Sequence, residues 1–179
     1  MPFARFWSLS LVVLVCDQAS KTWAGRFREV PIEVFEWEGF FRLGFTYVTN
    51  PGASFSMFSD YPEFLTCLAV GALLCIWFFR HALELERYNL QFIFGSIFGG
   101  IAGNLTDRLF REGEVVDFID LTFQFIPPSN DFLFAIRNFP VFNVADSFVT
   151  VGVLLLAITY SRVSGSDADE ESSASGADG

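Results

Sequence analysis

Apolar positions fall into four long runs separated by polar links of unequal length. A helix needs about 20 apolar residues to cross a hydrocarbon layer. On that scale the runs are Phe6–Trp23, Glu63–Phe79, Leu90–Phe110 and Val141–Tyr160. Asp17, Gln18, Ser20 and Lys21 crowd the C-terminal end of the first. Arg5 and Leu9–Val15 imitate a secretory leader, but Leu14 and Val15 stand where small residues should precede a cleavage site, so a retained helix is predicted. The polar link Arg80–Asn89 suits a tight hairpin between the second and third runs. Residues Val30–Tyr47 alternate imperfectly around Gly39 and Gly44, which predicts a short β-hairpin or small sheet lying at the membrane surface. Asp120–Pro140 mixes aromatics with Pro127, Pro128, Ser129 and Asn130 and reads as an irregular loop. After Ser164 only Ser, Gly, Ala and acids remain, the composition of a disordered tail. The fold class expected is an all-α integral membrane protein of four transmembrane helices. It has a small β element at about 30–48, a membrane domain over 1–163 and an acidic tail over 164–179.

Composition supports a membrane setting. The 179 residues include 24 Phe and only 18% charged residues, against about 25% in soluble domains. Five of the 21 acids (Asp167, Asp169, Glu170, Glu171, Asp178) lie in the last thirteen residues, so much of the net charge of −10 belongs to the tail. The scattered Lys and Arg of the body exclude a basic nucleic-acid surface. Cys16, Cys67 and Cys75 lie inside apolar runs without paired spacing, and His81 is the sole histidine. A disulfide framework, a metal site and a His-based triad therefore have little to draw on. No cofactor and no metal are expected.

Arg5, Arg80, Arg87 and Arg162 flank the runs on the N-terminal side over short links, which favours that side as cytoplasmic. In a four-span chain the end of the first run, the end of the third and the start of the fourth reach the opposite face together. The polar residues fall there: Asp17 and Lys21; Asn104, Asp107 and Arg108; Asn143 and Asp146. Asn50 and Asp117 lie in the loops of the same side. Acids inside apolar segments face a bundle interior or a hydrated cavity, so these nine groups are expected to converge on one pocket near one leaflet. Gly95, Gly99 and Gly103 form a small-residue stripe leading to it, suited to close helix approach. Plainer readings exist. Asp17 and Lys21 make an i, i+4 ion pair, Asp107 and Arg108 an interfacial anchor, and Asn50 a turn residue in Thr-Asn-Pro-Gly.

Asp117 and Asp146 differ in kind. Asp117 is flanked by Val115, Val116, Phe118 and Ile119, and Asp146 stands inside the fourth run between Ala145 and Ser147. Two carboxylates together in a low-dielectric site share a proton. Such a pair can activate water with one member and polarise a carbonyl with the other. A proton-coupled transporter and a non-catalytic assembly factor are the competing classes. A relay, however, needs ionisable groups through the whole membrane thickness, and the opposite halves of these runs are apolar.

Five strings, DQASK from Asp17, NPGASF from Asn50, GGIAGNLTDR from Gly99, GEVVDF from Gly113 and FNVAD from Phe142, resemble in order the motif blocks of bacterial lipoprotein signal peptidase, signal peptidase II. The resemblance covers about residues 6–162. It implies an inner-membrane aspartic endopeptidase with both termini cytoplasmic and its site toward the periplasmic leaflet. Such an enzyme removes signal peptides from diacylglyceryl-modified prolipoproteins on the N-terminal side of the lipidated cysteine. Carried over by motif position, Asp117 and Asp146 are the catalytic dyad. Asp17, Lys21, Asn50, Asn104, Asp107, Arg108 and Asn143 support substrate and dyad. Partners implied are lipid-modified prolipoproteins and membrane lipid, with the enzyme acting as a monomer. The sequence departs from the family at Ser54, where a second Ala is usual, and in Leu109–Gly113, which is one residue longer than the common spacing and alters the approach to Asp117.

Overall fold

The computed structural model describes residues 3–52, 58 and 60–175, with side chains as far as Ser161 in the final helix. Ser54 lies outside the described residues. Four long helices stand where the apolar runs predict them: α1 (Ala4–Ala24), α2 (Pro62–Phe78), α3 (Tyr88–Phe110) and α5 (Val144–Ser175). Helix α5 thus continues beyond Ser164, where the sequence suggested an unstructured tail; residues 176–179 lie outside the described set.

The all-α expectation is corrected by the links. Strands β1 (Ile32–Trp37), β2 (Phe41–Asn50), β3 (Val115–Phe123) and β4 (Asn138–Phe142) form one antiparallel sheet in the order β1-β2-β3-β4. The hairpin β1–β2 matches the expected element. The other two strands come from a stretch expected to be loop, which also holds a short helix, α4 (Asp131–Arg137), capped by Asn130 accepting the Leu133 N–H at 2.8 Å. The β-branched and aromatic run Val115-Val-Asp-Phe-Ile119 favours an extended backbone, and β2 supplies the partner strand, with Val48 opposite Asp117. The fourth apolar run is likewise shared: Val141 and Phe142 end β4, and the helix begins at Val144.

Helix α1 is built inside out. Phe6, Ser10, Val13, Asp17, Lys21 and Ala24, spaced by three and four, form its buried stripe, while Leu11, Val12 and Val15 are exposed. A helix in water presents the reverse arrangement. The stripe packs on α3, where Gly95 and Gly99 leave no room for a side chain: a Cβ on Gly99 would stand 2.7 Å from the Ser10 carbonyl oxygen and 2.8 Å from the Val13 Cβ. Ser10 uses this proximity, donating to the Gly95 carbonyl at 3.1 Å and the Phe6 carbonyl at 2.8 Å. At one end the core is apolar, with Phe6, Ile76, Leu85, Leu90, Ile93, Phe94 and Ile97. Among the described residues only Val144–Ser161 is long and apolar enough to cross a membrane by that measure alone; α2 is apolar but shorter. The buried charged residues of α1 and α3, Asp17, Lys21 and Asp107, gather at the end of the bundle that meets the sheet.

Candidate active site

Asp117 enters the site from β3 and Asn50 from the end of β2, not from loops as the sequence suggested. After α3 the chain turns through Glu112 (φ 56°) and Gly113 (φ 89°), a left-handed pair that suits glycine at the second position. The Gly113 N–H returns to the Arg108 carbonyl at 3.1 Å. The Leu109–Gly113 stretch thus ends in a turn that feeds directly into β3.

Asp146 is placed by the start of α5. Asn143 precedes the first helical residue and accepts the Asp146 backbone N–H on Oδ1 at 2.9 Å, while Asp146 Oδ2 accepts the Asn143 backbone N–H at 3.2 Å. This reciprocal pair is a capping box, with Asp in the position usually taken by Glu or Gln. The Asn143 side-chain amide then reaches the other acid, donating to Asp117 Oδ1 at 2.7 Å. One residue therefore holds both carboxylates.

Three layers surround the pair. On the wall of a cavity of about 810 Å³ stand Asn50, Asn104, Arg108, Asp117 and Asp146, facing apolar side chains that include Leu65 and Leu68 of α2 and Val151 of α5. Asn50 donates to Asp117 Oδ2 at 3.2 Å, and Asn104 donates to Asp146 Oδ1 at 2.7 Å. Arg108 donates to the Gly52 carbonyl at 3.1 Å, and its buried Nε has no hydrogen-bond partner among the described residues. Behind the wall, fully buried Asn143 also donates to Asn104 Oδ1 at 3.1 Å.

Deeper still, Lys21 is fully buried between Asp17 Oδ2 at 2.8 Å and Asp107 Oδ2 at 2.9 Å. Asp17 Oδ1 accepts the Ala145 N–H at 3.0 Å and Asp107 Oδ2 accepts the Val116 N–H at 3.1 Å, so this hub fixes the segments carrying both wall acids. Asp17, Lys21 and Asp107 are the foundation of the site and do not line its cavity. Gln18 and Arg111 were missed as site residues. Gln18 Nε2 donates to Asp107 Oδ1 at 2.9 Å, and Arg111 Nε lies 3.2 Å from the same oxygen. The i, i+4 spacing of Asp107 and Arg111 was the available signal for the second; for Gln18 only its place beside Asp17 was.

Burial raises the Asp117 carboxyl to about 6, and the nearby Asp146 carboxylate pushes the same way. The amides of Asn50 and Asn143 oppose the shift, as does the charge of Lys21. The arrangement supplies two acids held by one asparagine, fixed amide donors and an uncommitted guanidinium N–H beside an apolar trough, a set suited to hydrolysis of an amide bond.

Comparison with known proteins identifies the family. The chain matches the family model described as signal peptidase (SPase) II over residues 9–162. It is 38% identical over 154 residues to the lipoprotein signal peptidase of Trichormus variabilis, covering 86% of this chain and 87% of that protein. It is 36% identical to that of Shewanella piezotolerans over 173 residues, covering 91% and 89%. A bacterial membrane enzyme solved by the in meso method at 2.3 Å resolution superposes with a TM-score of 0.66 at 27% identity, covering 86% of this chain and 85% of that one. A second such enzyme, at 1.9 Å, gives 0.64 and 26%, covering 85% and 89%. The inside-out helix α1 fits such membrane neighbours, and the chain belongs to the signal peptidase II family of proteases.

Proposed function

We propose that this chain is an intramembrane aspartic endopeptidase that cleaves diacylglyceryl-modified prolipoproteins before the lipidated cysteine, with Asp117 and Asp146 as its catalytic pair. The observation that carries the reading is the joint hold of Asn143 on both carboxylates at the wall of one cavity. In this reading α1, α2, α3 and α5 all span the bacterial inner membrane. Both termini are cytoplasmic, and the sheet and site lie toward the periplasmic leaflet. The domain is residues 1–163.

Hydrolysis proceeds with one proton shared by the pair. The charged carboxylate takes a proton from water as its oxygen attacks the scissile carbonyl carbon, and the protonated carboxyl donates to the carbonyl oxygen. The tetrahedral diol collapses as the C–N bond breaks: the leaving nitrogen receives the proton taken from water, and a diol hydroxyl returns its proton to the pair, restoring the shared proton. The products are a signal peptide with a new carboxylate and a lipoprotein with a free cysteine amine. Acyl chains of the substrate remain in lipid while the peptide lies in the trough between α2 and α5. Aromatics of the 120–140 segment, with Phe123 and Phe139 on the cavity wall, cover the site and restrict water.

Confinement of the buried ionisable groups Asp17, Lys21, Asp107 and Asp117 to one end favours this reading over a proton relay, since the other end of the core is apolar. The test is incubation of the purified protein with a lipid-modified preprotein, read by mass spectrometry. The expected result is loss of the signal-peptide mass, abolished in Asp117→Asn and in Asp146→Asn. Full cleavage by either variant would remove the assignment.

A further inference from the structure

We propose that Lys21 is a positioning residue for Asp146, acting through the side-chain amide of Asn104. This rests on reading Asp117 and Asp146 as the reacting pair.

The three N–H donors of the Lys21 ammonium have three acceptors at hydrogen-bonding distance: Asp17 Oδ2 at 2.8 Å, Asp107 Oδ2 at 2.9 Å and Asn104 Oδ1 at 2.8 Å. Two carboxylates suffice to neutralise a buried cation, and Arg111 already offsets part of the Asp107 charge. The third contact goes to a neutral amide whose other end donates to Asp146 Oδ1 at 2.7 Å. An asparagine amide can be turned end for end in nearly the same volume. Turned, Asn104 would aim its oxygen at the Asp146 carboxylate and its NH2 at both the Lys21 ammonium and the Asn143 amide, so three favourable contacts would become repulsive. The charge on Lys21 holds the productive orientation more firmly than the Asn143 amide alone, which reaches Asn104 Oδ1 at 3.1 Å. Lys21 is fully buried and lies off the cavity wall, so it acts on a bound peptide through its neighbours, and of its three partners Asn104 is the one that itself touches Asp146.

A positioning role and a purely structural one part company in kinetics. Lys21→Met and Asn104→Ala are each expected to lower kcat by about tenfold to a hundredfold, as displacement of a catalytic group does, with KM for the lipid-modified preprotein little changed. Because both act on one bond, the double variant should be no slower than Asn104→Ala alone. Multiplying effects, or a loss expressed in KM, would overturn the proposal. Should Lys21→Met fail to fold, Asp107→Asn is compared with Lys21→Met/Asp107→Asn, which removes one buried charge of each sign. The pair should then show the kcat drop relative to Asp107→Asn, and equal kcat values would overturn it. Asp117→Asn and Asp146→Asn run alongside. Activity in either sinks the dyad, whereas inactivity in both with independent Lys21 and Asn104 effects sinks only the relay.

Discussion

Asp17 of α1 caps α5 across the bundle: its Oδ1 accepts the backbone N–H of Ala145 at 3.0 Å, a bond spanning 128 positions of sequence. The first N–H groups of a helix have no partner within it, and here a carboxylate from another helix supplies one beside the capping box of Asn143 and Asp146. The same carboxylate binds Lys21, so helix start, cation and cavity wall share one support.

Removing that support is therefore costly. Asp17→Ala strips one partner from a fully buried lysine and orphans the Ala145 N–H. A broken buried ion pair costs about 3–5 kcal/mol, and the expected outcome is a large drop in thermal midpoint in detergent, with activity falling as the folded fraction falls. Asp17→Asn retains an acceptor for Ala145 and should cost less. Equal stability of Asp17→Ala and the parent protein would show that the hub contributes nothing.

Gly103 tests the closeness of α1 to α3. A Cβ there would stand 2.5 Å from Asp17 Oδ2, the oxygen that pairs with Lys21. Gly103→Ala is expected to destabilise by about 1–3 kcal/mol, the usual cost of overpacking, and to reduce cleavage by displacing Asp17. Gly71→Ala, where a Cβ meets nothing within 4 Å, is the matched control for thermal unfolding. Similar midpoints for the two variants would refute the close-packing argument.

These contacts show how much of the molecule was legible in the sequence. The four long helices followed from hydropathy because their outward-facing residues are largely apolar. The hairpin β1–β2 followed from alternation around Gly39. Strand β3 was hidden because its run Val115–Ile119 is apolar on either side of a single acid, a pattern shared with a helix end, and its identity depends on pairing with β2 far earlier in the chain. The convergence of Asp17, Asn104 and Asp146 on one end was legible from helix topology. Which of them touch the cavity was not, because depth behind a wall depends on side-chain direction at each helix crossing. Gln18 shows the same limit: two of its three acceptors, on Gly103 and Asp107, come within reach only once α1 and α3 are packed.

Asp117 should make stability depend on acid pH. Its carboxyl stands at about 6 in the folded chain against 3.8 for an ordinary Asp, so the folded state binds more protons than the unfolded one between about pH 4 and 6. By linkage its stabilising contribution is full below about pH 4, declines as pH rises through that window and is gone above about 6, a change on the order of 3 kcal/mol. Thermal midpoints of the parent protein minus those of Asp117→Asn should therefore decrease from pH 4 to 6.5. A constant difference would contradict the raised value. Asn50→Ala removes a hydrogen bond that favours the charged form, so the inflection of kcat/KM assigned to Asp117 should move upward in pH.

Asn143→Ser separates the two duties of Asn143. Serine is about as good an N-cap as asparagine, so it can still accept the Asp146 N–H and leave its own backbone N–H for Asp146 Oδ2. It has no NH2 group to reach Asp117 Oδ1 or Asn104 Oδ1, which Asn143 contacts at 2.7 and 3.1 Å. The bond between β3 and α5 is thereby lost while the helix start is kept. Thermal stability should fall only modestly, by about 1–2 kcal/mol for the lost side-chain hydrogen bonds, whereas kcat should fall about a hundredfold because the two acids are no longer held by one residue. Cleavage kinetics and thermal unfolding measured on the same preparation distinguish the outcomes. Normal kcat in a folded Asn143→Ser protein would mean that the acids find their spacing without the clamp, leaving Asn143 as a helix cap alone.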